Sequence, residues 1–202
     1  MLNLFVRTYV TLFFLLTPFF VISTFLSMTA GMAPLRRRRV AIRTILAVIF
    51  FTLTIYTFGN HIFAVLGITL DSFRIGAGAL LFLSAVALVG GRIDDRMPSE
   101  NEDIAVVPLA MPITVGPGTT GALLVLGADV SRNFGGDKFS QVVAVGALLT
   151  AVLSVGLMLY IAARADKFIS PRIMSVLTKL TGLVLASLAA QLVFTGVRNF
   201  LK

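Results

Sequence analysis

Pro112-Ile113-Thr114-Val115-Gly116-Pro117-Gly118-Thr119-Thr120 is the least lipid-like stretch inside a run, Ile104–Ala128, that carries no formal charge. Pro112 and Pro117 remove two backbone donors, and the flanking glycines tolerate non-helical dihedrals. Backbone groups freed in this way have no water to bond in a bilayer, so the stretch is expected to be buried in protein or to line a wet cavity. A helix restarting near Gly118 and Thr119 would present unpaired N–H groups and a positive dipole end, a seat for a carboxylate. The hydroxyls of Thr114, Thr119 and Thr120 add donors and acceptors. The competing reading is a proline kink healed by neighbouring helices, with glycines for close packing.

The rest of the chain makes this a membrane question. Of 202 residues, 57% are hydrophobic and 13% charged, where a soluble domain has about 25% charged residues. Mean hydropathy is +0.98. Disorder, collagen-like sequence and a soluble enzyme are excluded by composition. With no cysteine and a single histidine, His61, there is neither a disulfide framework nor a thiolate or paired-histidine metal site. No serine–histidine pairing or phosphate loop is present either, so the expectation is no enzyme, no cofactor and no metal.

Charge-free runs span Thr8–Leu35, Thr44–Leu70, Ile75–Gly91, Ile104–Ala128, Phe139–Ala163 and Leu180–Val197. Each reaches the range of about 17–25 residues that a membrane-crossing helix needs. Unbroken apolar stretches such as Val142–Leu149 lack the alternation of a barrel strand. The expected fold is therefore an all-α membrane protein of six transmembrane helices. The first run follows Arg7 but is too long for a signal-peptide core.

Eleven of the 17 cations, among them Arg36, Arg37, Arg38 and Arg39, fall on one side of this arrangement. The positive-inside rule makes that side cytoplasmic and puts both termini outside. Arg36–Arg39 then act as a topogenic and headgroup anchor, and the net charge of +8 needs no nucleic-acid partner.

A polar linker, residues 92–103, separates a first three-helix unit, residues 1–91, from a second, residues 104–202. Three spans per half make the halves inverted with respect to each other, with the first and fourth helices broken. Pro18 in the first span is matched with Pro112 in the fourth. Arg74 before Gly76-Ala77-Gly78 is matched with Lys179 before Thr181-Gly182. Thr17, Ser23 and Thr24 flank Pro18 as hydroxyl counterparts of the threonines around Pro112. The candidate substrate-binding set is thus Thr17, Pro18, Ser23, Thr24, Pro112, Thr114, Gly116, Pro117, Gly118, Thr119 and Thr120.

Other polar residues receive structural roles. Gln191 and Thr195 are expected to bond between helices, Arg74 and Lys179 to snorkel to opposite interfaces, and Asp71 to cap the third helix or pair with Arg74. No carboxylate falls in the middle of a span, which speaks against a proton or sodium relay.

Ile68-Thr69-Leu70-Asp71-Ser72-Phe73-Arg74-Ile75-Gly76-Ala77-Gly78 resembles the signature that opens the third helix in the MarC family of prokaryotic integral membrane proteins. Asp103-Ile104-Ala105-Val106-Val107-Pro108-Leu109-Ala110-Met111-Pro112, followed by Gly116-Pro117-Gly118, is similar to that family's most recognisable block. Phe25–Thr29 and Thr178–Gly182 match its flanks in the first and last helices. The resemblance implies six helices in the cytoplasmic (inner) membrane and, for some members, transport of small neutral amino acids such as glycine and alanine. The family's first helix often carries Asp or Asn, then Pro, then a second Pro five residues after the first. Thr17, Pro18 and Ser23 stand there in this chain, without the carboxylate and without the second proline.

The functional expectation is an inner-membrane transporter of a small polar metabolite, working by alternating access, with the bilayer and the solute as partners. Gly- and Ala-rich helix faces also permit self-association. A passive channel and a non-transporting scaffold that docks partners on the Arg92–Asp103 loop are the rival classes.

Overall fold

A computed structural model describes residues 1–91, 104–133, 137–164 and 170–201. The expected polar linker, 92–103, lies outside the described residues.

Seven α-helices and one wider-turned segment account for the described chain: α1 (Leu2–Leu15), α2 (Pro18–Met28), α3 (Pro34–Leu66), α4 (Leu70–Gly90), the segment Ala105–Thr114, α5 (Pro117–Asn133), α6 (Lys138–Ala162) and α7 (Pro171–Phe200). Among the described residues, five spans are long and apolar enough to cross a membrane: Leu2–Met28, Pro34–Phe58, α4, α6 and α7. Ala105–Thr114 and Pro117–Val130 bend by 67° at their junction and make a sixth if taken as one crossing.

Prolines write the helix starts. Pro18, Pro34, Pro117 and Pro171 all stand at the first helical residue, where the missing N–H has no intrahelical partner to lose. The break between α1 and α2 is local. Thr17 takes a left-handed conformation (φ 46°), its N–H bonds back to the Phe14 carbonyl and its own carbonyl accepts from Val21. The second break is wider. Val107 and Met111 have extended dihedrals inside Ala105–Thr114, and the peptides before Pro108 and Pro112 are cis. Bonds one residue longer than α-helical ones, Leu109 N–H to the Ile104 carbonyl and Val115 N–H to the Ala110 carbonyl, occupy acceptors there.

Glycines set the distances between helices, as expected where lipid provides no hydrophobic drive and packing must hold helices together. A Cβ on Gly78 of α4 would stand 2.7 Å from Val193 and 2.9 Å from the Ala189 carbonyl. One on Gly182 of α7 would stand 2.8 Å from Val89 and 3.0 Å from the Ala85 carbonyl. The partners interchange: Gly78, Ala85 and Val89 lie as far from one another along the chain as Gly182, Ala189 and Val193 do. Gly196 meets the start of α4 at Asp71 and Ile75, so α4 and α7 run antiparallel.

The same interchange runs through the helix contacts. α4 packs on α5 as α7 packs on α2, α3 packs on Ala105–Thr114 as α6 packs on α1, and α3 packs on α5 as α6 packs on α2. The buried core follows these contacts in two clusters. One centres on Leu12, Leu15, Leu81, Leu123, Leu148 and Leu185. The other centres on Val21, Phe25, Leu109 and Leu159.

Pro18 opens α2 and Pro117 opens α5, while Pro112 lies inside Ala105–Thr114. Of the two roles expected of Asp71, the pairing with Arg74 is the one present, and the cap of α4 is the Thr69 hydroxyl, which accepts from the Ser72 N–H. Arg74 does not snorkel to an interface. It is 7% exposed and held by carboxylates on two helices, Asp71 of its own and Asp129 of α5.

Candidate functional site

The two breaks meet. The Thr119 hydroxyl, in the first turn of α5, donates to the Leu15 carbonyl at the end of α1 (3.0 Å). That carbonyl lies at the point where Pro18 interrupts the ladder, so a helix 104 positions away provides a donor. Gly118 lies against Leu81 of α4, where an added Cβ would stand 2.8 Å from the Leu81 Cα. The first turn of α5 is thus walled by backbone.

Of the other expected site residues, Thr17 and Pro18 are buried at the first break, and Ser23 and Thr24 are half-buried on α2. The buried Thr24 hydroxyl has no hydrogen-bond partner. Thr114 is buried and its hydroxyl donates to the Leu109 carbonyl (2.7 Å). Gly116 and Thr120 are half-buried, and the Thr120 N–H bonds to the Gly116 carbonyl (2.8 Å). Pro112 and Pro117 are exposed, although the stretch as a whole was expected to be covered. Their rings are apolar and carry no N–H, so they face outward without leaving a donor unpaired, while Thr114 and Thr119 turn inward.

Beside the breaks lies a cavity of about 470 Å³, walled by α1, α4, α5 and α7. None of the eleven expected residues lines it. Leu15, Leu81 and Ala122 connect it to the breaks, and its polar lining comes from Asn3, Arg7, Thr8, Thr11, Arg74, Asp129, Gln191 and Thr195. Each wall is one helical face. Leu4, Thr8, Thr11 and Leu15 follow i, i+4, i+7, i+11 on α1, and Leu188, Gln191, Leu192 and Thr195 follow i, i+3, i+4, i+7 on α7. Gln191 and Thr195 therefore face an open space, where hydrogen bonding between helices had been expected.

Arg74 organises one wall. One Nη donates to Asp71 and the other to Asp129. Asn199 of α7 donates to the same Asp71 oxygen (3.2 Å). α4, α5 and α7 are thereby tied at one end of the cavity by charge-assisted bonds. Asp71 and Arg74 are 17% and 8% exposed in their side chains, against 30% for Asp129, so Asp129 is the more open carboxylate. Sequence reading passed over Asp129 because it is the residue immediately after a charge-free run. Its i+7 spacing from Ala122 was the available signal. Among the described residues, no group of three or more Asp, Glu, His or Cys is placed to hold a metal.

The sequence model described as MarC family integral membrane protein matches residues 2–201. A UPF0056 membrane protein of Methanocaldococcus jannaschii is 30% identical, over 99% of this chain and 98% of its own length. The UPF0056 membrane protein YhcE of Escherichia coli is 28% identical, over 96% of this chain and 91% of its own length. The UPF0056 inner membrane protein YhgN of the same organism is 24% identical, over the full length of both. No solved structure matches. With a family match across essentially every residue and a bundle of apolar helices to go with it, the chain is a multi-pass integral membrane protein and belongs to the MarC family.

Proposed function

We propose that the protein is a carrier for a small polar solute, with small neutral amino acids of the glycine and alanine kind as its substrate class, and that it performs no covalent chemistry. The observation that carries this reading is the cavity of about 470 Å³ between α1, α4, α5 and α7. It is large enough for a small metabolite and has hydroxyl, amide and charged groups on apolar walls, the usual make-up of a solute site. It adjoins two interrupted helices, which in transporters accompany binding sites.

The mechanism follows from the interchange of contacts. Two inverted three-helix halves, 1–91 and 104–202, account for the reciprocal packing of Gly78 with Val193 and Gly182 with Val89. Exchange of the two halves' conformations closes the present cavity and opens its counterpart at the other end, where α2 packs on α7 and the Thr24 and Thr178 hydroxyls are buried without partners. The distribution of Lys and Arg turns Arg36–Arg39 to the cytoplasm and the mouth near Arg7 and Arg74 outward, in an inner membrane.

Counterflow of labelled glycine, alanine and serine into liposomes containing the purified protein tests the reading. A carrier gives saturable exchange absent from empty vesicles. Flux that does not saturate and shows no exchange with unlabelled solute would replace it with a channel.

A further inference from the structure

Threonine hydroxyls on membrane helices commonly bond back to their own backbone. In this chain those of Thr44, Thr52, Thr150 and Thr181 donate to the carbonyl four residues earlier. The two threonines of α1, Thr8 and Thr11, behave differently. Among the described residues neither hydroxyl has a hydrogen-bond partner, and both residues line the cavity. Thr8 is only 2% exposed, so its hydroxyl is withdrawn from bulk water as well. Arg7 stands beside them. It lies inside the first span, Leu2–Met28, is exposed and lines the same cavity, and makes no hydrogen bond or ion pair among the described residues. The other arginine of the cavity, Arg74, has its Nη groups taken by Asp71 and Asp129.

We infer that this face of α1 holds the carboxylate of the solute, with the Arg7 guanidinium as its counter-charge and the Thr8 and Thr11 hydroxyls as further donors. This deepens the carrier reading and rests on the same cavity. Arg7 and Thr11 are four residues apart and Thr8 and Thr11 three, so the three side chains form one patch on the helix. A guanidinium presents a planar fork of donors that matches a carboxylate. A carboxylate leaving water for a low-dielectric site needs such a counter-charge. An ionisable side chain inside a span usually faces a water-filled space and marks the path of a solute. The α7 wall contributes Gln191 and Thr195 and no charge, which leaves it for the rest of the solute. The first turn of α5, packed on Leu81, is then not needed to seat the carboxylate.

Equilibrium binding of labelled glycine to the purified protein in detergent, competed by unlabelled glycine and by glycinamide, reads this directly. Glycinamide keeps the amine and replaces the carboxylate with a neutral amide. Loss of a charge-assisted bond weakens binding by about tenfold or more, and glycine is expected to compete better than glycinamide by that factor. Arg7→Gln is expected to weaken glycine to the same extent and bring it level with glycinamide, and Arg7→Lys to recover part of the loss. Thr11→Val leaves the charge in place and is expected to weaken glycine by a smaller factor. Melting curves of each variant separate lost binding from lost folding. Glycine binding unaltered in Arg7→Gln, or glycinamide competing as well as glycine on the native protein, overturns the assignment. Unaltered glycine binding with less phosphatidylglycerol retained by Arg7→Gln would make Arg7 a lipid-headgroup anchor instead. Binding of neither glycine nor labelled alanine or serine to the native protein overturns this assignment and the carrier reading together. Should binding depend on Arg7 while liposomes show no counterflow, the carboxylate seat stands and the carrier reading falls. Counterflow indifferent to Arg7→Gln has the reverse meaning.

Discussion

Thr119, in the first turn of α5, and Leu15, the last residue of α1, are joined by a 3.0 Å hydrogen bond. Both residues are buried. The bond places the start of α5 against the end of α1 and fixes the floor of the cavity, which Leu15 lines. Thr119→Val keeps the shape and removes the donor, leaving the carbonyl at the Pro18 break without this partner. The expected cost is about 1–3 kcal/mol, seen as a lower melting temperature in detergent. Thr119→Ser should retain most of the stability, and equal melting of Thr119→Val and wild type would show that another donor takes over.

The α4–α7 seam makes a symmetric prediction. Gly78→Leu and Gly182→Leu each drive a side chain into the opposite helix, where even a Cβ has 2.7 to 3.0 Å of room. Overpacking of this kind costs about 1–3 kcal/mol or more when backbone blocks the way. The two variants should lose stability to a similar degree, and Gly76→Leu, with nothing within 4 Å, should lose little.

Gly118→Leu acts at the α4–α5 contact. The Leu81 backbone lies 2.8 Å from the added Cβ, so α5 must move away from α4 and the cavity must deform. Counterflow should be abolished while the protein still inserts into the membrane. Normal flux in this variant would separate the cavity from transport.

Asp137 gives a pH dependence outside the membrane. It caps α6, accepting from the Ser140 hydroxyl and N–H (3.0 and 3.1 Å) and from the Phe139 N–H. The Ser140 hydroxyl bond chiefly, then the backbone bonds, lower its pKa below the usual carboxylate value. A depressed folded-state pKa means that the cap's contribution is present above the unfolded pKa and is lost as pH falls through the folded one. Amide exchange at the first turn of α6 should therefore quicken below about pH 4 beyond its intrinsic trend, and Asp137→Ala should remove that excess.

Topology is open to the same directness, because the chain contains no cysteine. Cysteine introduced at Asn3 should react with an impermeant maleimide on intact cells, and cysteine at Arg39 only after permeabilisation. The opposite pattern would invert the assigned orientation.

The spans were legible in the sequence because lipid imposes a rule on composition: runs free of charge and about 20 residues long have few other uses. Pro18 and the Pro112–Thr120 stretch marked both interruptions for an equally local reason. The exact second break was less legible, since Pro108, Pro112 and Pro117 all compete to end a helix, and tertiary packing selects Pro117 as the start of α5. The Arg74–Asp129 pair was not legible at all. It joins residues 55 positions apart, and each alone reads as an ordinary charge at the end of a span. The cavity escaped for the same reason. Its polar groups are divided among four helices, with Arg74 and Asp129 each alone on α4 and α5, and no single stretch of chain displays them together.

Arg74 also has a history within each round of synthesis. α4 leaves the ribosome before Asp129 exists, and at about 5–20 residues per second the gap is on the order of 3–11 seconds. For that interval Arg74 must rest in or beside the bilayer with no second helix to neutralise it. Asp71, three residues earlier on the same helix, is its counter-ion from the start. Asp71 thus carries the arginine through biogenesis, and Asp129 takes its share once α5 is made. Asp71→Asn should accordingly depress insertion of the first three spans, measured on a nascent chain stopped before Asp129, while Asp129→Asn should affect only the finished protein.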